Sequence, residues 1–391
     1  MADKPMKVFG DVDANAIRQM QTCLADDAAV AGVMMPDGHL GYSMPIGGVI
    51  AYRGAVSPSG VGFDIACGNK AVMLDAEPAD TRLYISEIMD EVFASISFGV
   101  GLKNEERVEH ELFDDPMWGE RPFSHLKELA HQQLGTVGGG NHYVDIFEDE
   151  SGTVWVGCHF GSRGFGHKVA SGFLNLANGA DFGDRYHDDI NAPATVLSLD
   201  TPLGQDYWHG MELAGRYAYT GRDWVCQKVA DILGANILRE IHNHHNFAWR
   251  EEHDGLGDVV VVRKGATPAH AGQMGFVGST MAERSVVLEG MGDPETLHSA
   301  VHGAGRVLSR SAAKGKPKKG KPGLVSREDM DGMVGGAGVC LRGADVDEAP
   351  QCYKRLDEVL EHIPHSITVD TWLKPLGVAM AGPFVRDPYK D

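Results

Sequence analysis

No stretch of this sequence is long and apolar enough to span a bilayer, and Met1 to Gly10 holds no apolar core of signal-peptide length, which together predict a cytoplasmic protein without a membrane partner. Paired cysteine spacing is also missing. The six cysteines, Cys23, Cys67, Cys158, Cys226, Cys340 and Cys352, are scattered, which argues against a disulfide framework and predicts free thiols, one of them available as a ligand. Positive charge is scarce: 35 Lys and Arg against 55 Asp and Glu give a formal net charge of -20. A nucleic-acid binder usually carries a basic surplus, so any RNA or DNA contact here needs a local basic patch or metal ions. No internal repeat is present.

What the chain does have is glycine, 50 residues of it, much of it in short clusters with His, Asp, Asn or Ser. Such clusters suit a site assembled from loops that expose backbone. The hydrophobic fraction of 43% and charged fraction of 23% are those of an ordinary globular chain, long enough at 391 residues for one large domain or two.

Apolar spacing predicts a short helix over Asn15–Leu24, buried strands at Val30–Met35 and Ile46–Tyr52, and a helix capped by Asp80 or Thr81 that runs to about Ala94. The charged stretch Lys103–Arg121 reads as a surface loop or short helix. Strand and loop pieces follow at Leu134–Phe147 and Val154–Gly164, then a helical pattern from about Tyr207 to Ile241 whose end carries His242 to Asn246. Asp258–Thr267 reads as a buried strand ending in the basic pair Arg263 and Lys264. Gly315–Lys321 reads as a basic, mobile linker. Short strands alternating with two or three helices predict an α+β architecture rather than regular βαβ winding.

Chemistry concentrates where these elements give way to loops. In His302-Gly303-Ala304-Gly305-Arg306 a histidine adjoins backbone with almost no side-chain bulk and then an arginine, so a phosphate can approach the ring while a guanidinium holds its oxygens. That chemistry suits phosphoryl or nucleotidyl transfer through histidine. Asp64, Cys67, His142, His159 and His245 lie at element ends and form a potential metal-ligand set. Thiolate and imidazole favour zinc, and the carboxylate widens the choice to manganese or iron. Gly138-Gly139-Gly140-Asn141 offers backbone N–H groups to phosphate, and Arg163, Arg263, Lys264, Arg306 and Arg310 offer cations, four of them (all but Arg306) candidates for an RNA path.

These stretches are familiar in combination. Met35-Pro-Asp-Gly-His-Leu-Gly41, Gly62-Phe-Asp-Ile-Ala-Cys-Gly68, Gly140-Asn-His-Tyr143, His159-Phe-Gly-Ser-Arg-Gly164, His245-Asn246, Arg263-Lys-Gly-Ala-Thr267 and His302-Gly-Ala-Gly-Arg306 stand in the order found in the RtcB-type RNA-splicing ligases, and the chain resembles that family from about Ala14 to about Ala381. The resemblance implies one catalytic domain over residues 1–391, with about 383–391 as a tail, and mixed or antiparallel sheets with flanking helices around a central metal and nucleotide cleft. It implies a GTP- and Mn2+-dependent ligase that joins RNA 3′-phosphate or 2′,3′-cyclic phosphate ends to 5′-hydroxyl ends, with an archease-like activating protein among its partners.

By motif, His302 would carry GMP as a phosphoramidate, with Arg306 beside it and Asp37 orienting it. Two ions would share Cys67, one with Asp64 and His142 and the other with His159 and His245; the adjacent His244 is an alternative to His245. The nucleotide would meet Asn141, Asp145, Thr280, Ser285, Gly303, Ala304, Gly305, Tyr353 and Met380. Several positions depart from the family pattern. Asp145 stands for a usual glutamate, Ser279-Thr280-Met281-Ala282 stands for Gly-Ser-Met-Gly, and Met380 stands for a lysine that contacts the base. Methionine cannot donate a hydrogen bond there. A metal-dependent phosphoesterase acting on cyclic-phosphate ends, or a non-catalytic RNA-end-binding homologue, are the alternative readings.

Overall fold

Two antiparallel-dominated sheets meet along one edge, and a single long helix braces both. The computed structural model describes residues 4–187, 192–316 and 320–385. The first sheet runs, in spatial order, Met6–Val8, Ala29–His39, Ile46–Tyr52, Gly257–Lys264 and Asn246–His253. The second runs Met274–Val277, Ser285–Gly290, Ile367–Met380, Tyr143–Asp149, Val154–Phe160, Gly68–Leu74 and Ile237–His244, with Cys340–Arg342 pairing parallel to Ile367–Met380. This is the α+β architecture the sequence predicts. No helix among the described residues is long and apolar enough to cross a membrane.

The sequence explains the placement of the strands. Gly257–Lys264 sits between two neighbours in its sheet, and its run Val259 to Val262 is buried throughout, as β-branched residues are in a strand covered on both faces. Its sheet packs Ile50, Tyr52, Val260 and Val262 against Met20 of helix Ala14–Leu24 and Tyr217 of helix Pro202–Ile232. The second sheet packs Val72, Val144 and Val156 against Val225, Cys226 and Val229 of the same helix. Pro202–Ile232 thus anchors two cores at once.

Several elements differ from expectation. The helical pattern predicted to continue to Ile241 stops at Ile232, because Gly234 takes φ 63° and Ala235 N–H returns to the Ala230 carbonyl. Beyond it, Ile237–His244 is a strand, so His242 and His244 lie on a strand instead of a helix end. The predicted strand Val30–Met35 extends to His39, which places Asp37 in the sheet region. The helix expected from Asp80 begins at Pro78 under a Glu77 cap and breaks at Tyr84, with a second helix over Ile85–Ser95; Leu83 is exposed at the break. Lys103–Arg121 holds only short 3-10 turns, but Leu112, Phe113 and Trp118 bury there and pin the segment down. Within the basic Gly315–Lys321 stretch, residues 317–319 lie outside the described residues, as do 386–391 of the expected tail.

Cys67 is followed by Gly68 at the head of a central strand, where a Cβ would lie 2.2 Å from the Asn243 carbonyl oxygen and 2.8 Å from His244 Cα. Overpacking of that kind costs about 1–3 kcal/mol. Gly68→Ala is expected to lose about that much stability in urea denaturation, whereas Gly335→Ala, in open space on helix Arg327–Gly336, is expected to be neutral or stabilising. Equal effects at the two positions would contradict this packing.

Candidate metal and nucleotide site

Where the two sheets meet, their strand ends open into a cleft of about 1370 Å³. His245 is the hinge of this arrangement, the single residue between Ile237–His244 of the second sheet and Asn246–His253 of the first. Its backbone N–H donates to the Cys67 carbonyl at 2.8 Å, and Ala66, with φ 59°, turns the chain so that Cys67 faces the same point.

Five potential ligands converge there. Cys67 Sγ lies 3.5 Å from His142 Nε2 and 3.2 Å from His159 Nε2. His159 Nε2 lies 3.3 Å from His245 Nε2, and His142 Nε2 lies 3.1 Å from Asp64 Oδ2. Cys67, His159 and His245 form one group able to hold an ion, and Asp64, Cys67 and His142 form another, with the cysteine common to both. The other ring nitrogens of two histidines are tied to backbone, His142 Nδ1 to the Val137 carbonyl at 2.9 Å and His159 Nδ1 to the Asn141 carbonyl at 3.2 Å. For His159 this bond favours the tautomer that leaves Nε2 as a lone-pair donor, whereas His142 Nδ1 also faces the Arg163 guanidinium at 3.4 Å and its Nε2 faces the Asp64 carboxylate.

The donor chemistry fits a metal. Bonds of 2.0–2.3 Å to nitrogen and sulfur set tetrahedral ligand atoms roughly 3.3–3.7 Å apart, close to the spacings seen here. Burial pushes the Cys67 thiol well above its usual range, with the Asp64 charge adding to the effect, and burial likewise pulls His159 and His245 well below theirs. Burial also works against the Asp64 carboxylate, but the His142 ring and Arg163 outweigh it and hold the group at about 2. His159, bonded through Nδ1, offers its Nε2 lone pair toward His245, and a cation between the two rings would engage a lone pair of each.

His245 and not His244 faces the cleft, and a residue that the sequence reading missed holds His244 away from it. Arg222, on the buried face of the long helix, donates to the Ala66 and Phe160 carbonyls at 3.0 and 2.5 Å, to His242 Nε2 at 2.8 Å and to His244 Nδ1 at 2.9 Å. His244 also stacks on Tyr219 and points away from the cleft. Burial, then the Arg222 charge, lowers His242 to about 3. The available signal was an arginine within an otherwise apolar helical stripe.

Opposite the ligands stands His302. Strand Ser299–Val301 delivers it, and buried Asp37 accepts from both its backbone N–H at 3.1 Å and its ring Nδ1 at 2.7 Å through one carboxylate oxygen. The ring lies with its centroid 4.8 Å from that of His245. Gly305, at φ 78°, is required because a Cβ would meet the Asp37 carbonyl oxygen at 2.4 Å.

Arg306 is heavily engaged within the protein. It donates to Tyr353 Oη at 2.7 Å, to Glu348 at 3.2 Å, and to the Asp347 and Leu308 carbonyls, and it stacks over the Tyr353 ring. Arg310 pairs with Glu348, so this buried carboxylate, unnoticed in the sequence, ties both arginines to the wall of the cleft. Asn141, Thr280, Gly303, Ala304, Tyr353 and Met380 also line it. Asp145 does too, and burial holds its carboxyl well above the usual range; its Oδ1, the Tyr143 hydroxyl and the Thr280 hydroxyl have no hydrogen-bond partner among the described residues.

Two expected positions lie elsewhere. Ser285 does not line the cleft; its hydroxyl accepts from the Ser279 N–H at 3.0 Å and shapes the loop carrying Thr280. Arg263 is fully buried and forks onto Glu251, with further bonds to Ser299 and the Leu297 carbonyl, so it cannot form part of an RNA path. Lys264 reaches the cleft floor but bonds the Tyr42 and Ser59 carbonyls. Arg163 lines the opening beside Gly138, where any Cβ would strike its guanidinium.

Comparison with known proteins identifies the family. The family model for tRNA-splicing ligase RtcB matches residues 21–122 and 120–381. The chain is 32% identical over 435 residues to tRNA-splicing ligase RtcB of Archaeoglobus fulgidus, covering 90% of this chain and 87% of that relative. It is 30% identical over 471 residues to the Thermococcus kodakarensis protein of the same name, covering 96% and 95%. It is also 30% identical over 354 residues to RNA-splicing ligase RtcB of Escherichia coli strain K12, covering 84% of each. With the family model matching residues 21–381 and relatives matching most of the chain, the chain belongs to the RtcB family.

Proposed function

We propose that the protein is an RNA ligase that joins 3′-phosphate or 2′,3′-cyclic phosphate ends to 5′-hydroxyl ends with GTP and Mn2+. The observation that carries this reading is the Asp37–His302 pair, set with its ring beside the thiol and imidazole cluster. Bonded to Asp37 through Nδ1, His302 keeps Nε2 as its nucleophile. Nε2 attacks the α-phosphorus of GTP, an N–P bond forms, and pyrophosphate leaves. An oxygen of the RNA 3′-phosphate then takes the GMP from His302, and the 5′-hydroxyl attacks the activated 3′-phosphate and expels GMP. A cyclic phosphate is first opened by water.

Asp64, Cys67, His142, His159 and His245 would hold two ions. Such ions, when bound, stabilise charge on phosphate oxygens and lower the pKa of an attacking hydroxyl. Asp37 fixes the ring and stabilises the cation it becomes on forming the N–P bond, the role of a buried carboxylate behind a catalytic histidine. Arg306 acts as a positioning residue, since its donors hold Tyr353 and the loop around Asp347. Asn141, Gly303, Ala304 and Gly305 would meet the phosphates, and Asp145, Thr280, Tyr353 and Met380 the base and sugar. Burial favours the protonated form of Asp145, a form that can donate a hydrogen bond as well as accept one.

Incubation with Mn2+ and α-labelled GTP is expected to leave acid-labile label on the wild-type protein and none on His302→Ala. Asp37→Asn is expected to slow label transfer by about 10²- to 10⁴-fold. No label with any nucleotide would sink the ligase reading, and cyclic-phosphate opening without label would favour a phosphoesterase. Met380→Lys restores a charged donor at the cleft wall, worth about 1.5–3 kcal/mol, and is expected to lower the GTP concentration for half-maximal labelling about tenfold or more. An unchanged value would remove Met380 from the base pocket.

A further inference from the structure

A second group of ligating side chains lies at the far end of the strand that delivers His302. Glu251 on Asn246–His253, His270 after Ala266–Pro268, and His298 before Ser299–Val301 each bring one donor atom within 4.8 Å of the others. The backbone holds them in place. Ala266–Pro268 and Ser299–Val301 pair antiparallel, and the Ala269 N–H donates to the His298 carbonyl at 2.8 Å. The rings of His270 and His298 meet edge to face with centroids 5.2 Å apart, and His253 stacks on His298 at 4.4 Å.

Glu251 anchors the group. Its Oε1 accepts from Arg263 at 2.5 Å, and its Oε2 accepts from Arg263 at 3.1 Å and bonds His253 Nε2 at 2.8 Å. A carboxylate oxygen has two lone pairs, so Oε1 keeps one after its Arg263 bond. His270 Nε2 is 3.6 Å from that oxygen. This is outside hydrogen-bond range, yet it approaches the roughly 3.3 Å between nitrogen and oxygen ligands of a tetrahedral zinc ion. Because Arg263 offsets the carboxylate charge, affinity has to come from the imidazole nitrogens. That selects a late first-row ion over magnesium or calcium. The His270 side chain is 44% exposed, which gives an ion access from solvent.

We propose that Glu251, His270 and His298 form a zinc-type divalent metal site separate from the cleft, with water completing the coordination. Two imidazoles, one carboxylate and water make a set that zinc accepts. Since Ser299–Val301 joins His298 directly to His302, an ion here would tether the strand that carries the nucleophile.

The test is zinc content by atomic emission after equilibrium dialysis of the full chain. His270→Gln/His298→Gln is expected to bind one equivalent fewer than wild type, while Cys67→Ala/His159→Ala keeps that equivalent. Equal zinc in wild type and the first variant overturns the proposal, as does loss of this equivalent from the second. Should the first variant not fold, His270→Gln alone decides, since it changes a partly exposed side chain. Its zinc affinity at this site is expected to weaken by at least about tenfold, and an unchanged affinity overturns the proposal.

Discussion

A thiol with two imidazole nitrogens 3.2 and 3.5 Å from its sulfur, all three side chains nearly buried at the cleft wall, forms the constraint on which this structure turns. Groups of this kind stabilise nothing by themselves. Burial penalises their charged forms, and neutral imidazoles cannot all donate to each other. The fold nevertheless brings them together from four strand ends, and His245, the one-residue connection between strands Ile237–His244 and Asn246–His253, completes the set. A cation bound there would relieve the constraint.

Behind that set, Arg222 solves a second problem of burial. A buried guanidinium costs several kcal/mol unless its donors are used, and here they engage the carbonyls on either side of the cluster and two neutral histidines. The carbonyls belong to Ala66, next to Cys67, and Phe160, next to His159. The long helix therefore positions the ligands through one side chain while filling two cores with its apolar stripe. The same geometry occupies His244 and leaves His245 for the cleft.

Much of the site was legible because glycines and ligands adjoin in short stretches: Gly-Asn-His at 140–142, Asp-Ile-Ala-Cys at 64–67 and His-Gly-Ala-Gly-Arg at 302–306 all reach the cleft. Tertiary pairing was less visible. Ile237–His244 continues the apolar spacing of the preceding helix, and only Gly234 marks the break. Arg263 looked like a cation emitted at a strand end, but its strand is central and its partner, Glu251, is 12 residues away on the neighbouring strand. Glu348 and Arg222 carried no motif because their partners are scattered along the chain. A long-range ion pair leaves no local pattern to read.

Both ends of the cleft hold buried polar atoms without partners among the described residues, Asp37 Oδ1 and His245 Nδ1 beside His302, and the Tyr143 and Thr280 hydroxyls and Asp145 Oδ1 beside the apolar Met380. The proposed function turns on one cysteine serving two ions opposite His302. Anomalous diffraction from crystals soaked in Mn2+ tests that most directly: the account predicts two peaks, both bonded to Cys67 Sγ, one reached by Asp64 and His142 and the other by His159 and His245. A single peak, or peaks that do not touch Cys67, would contradict it.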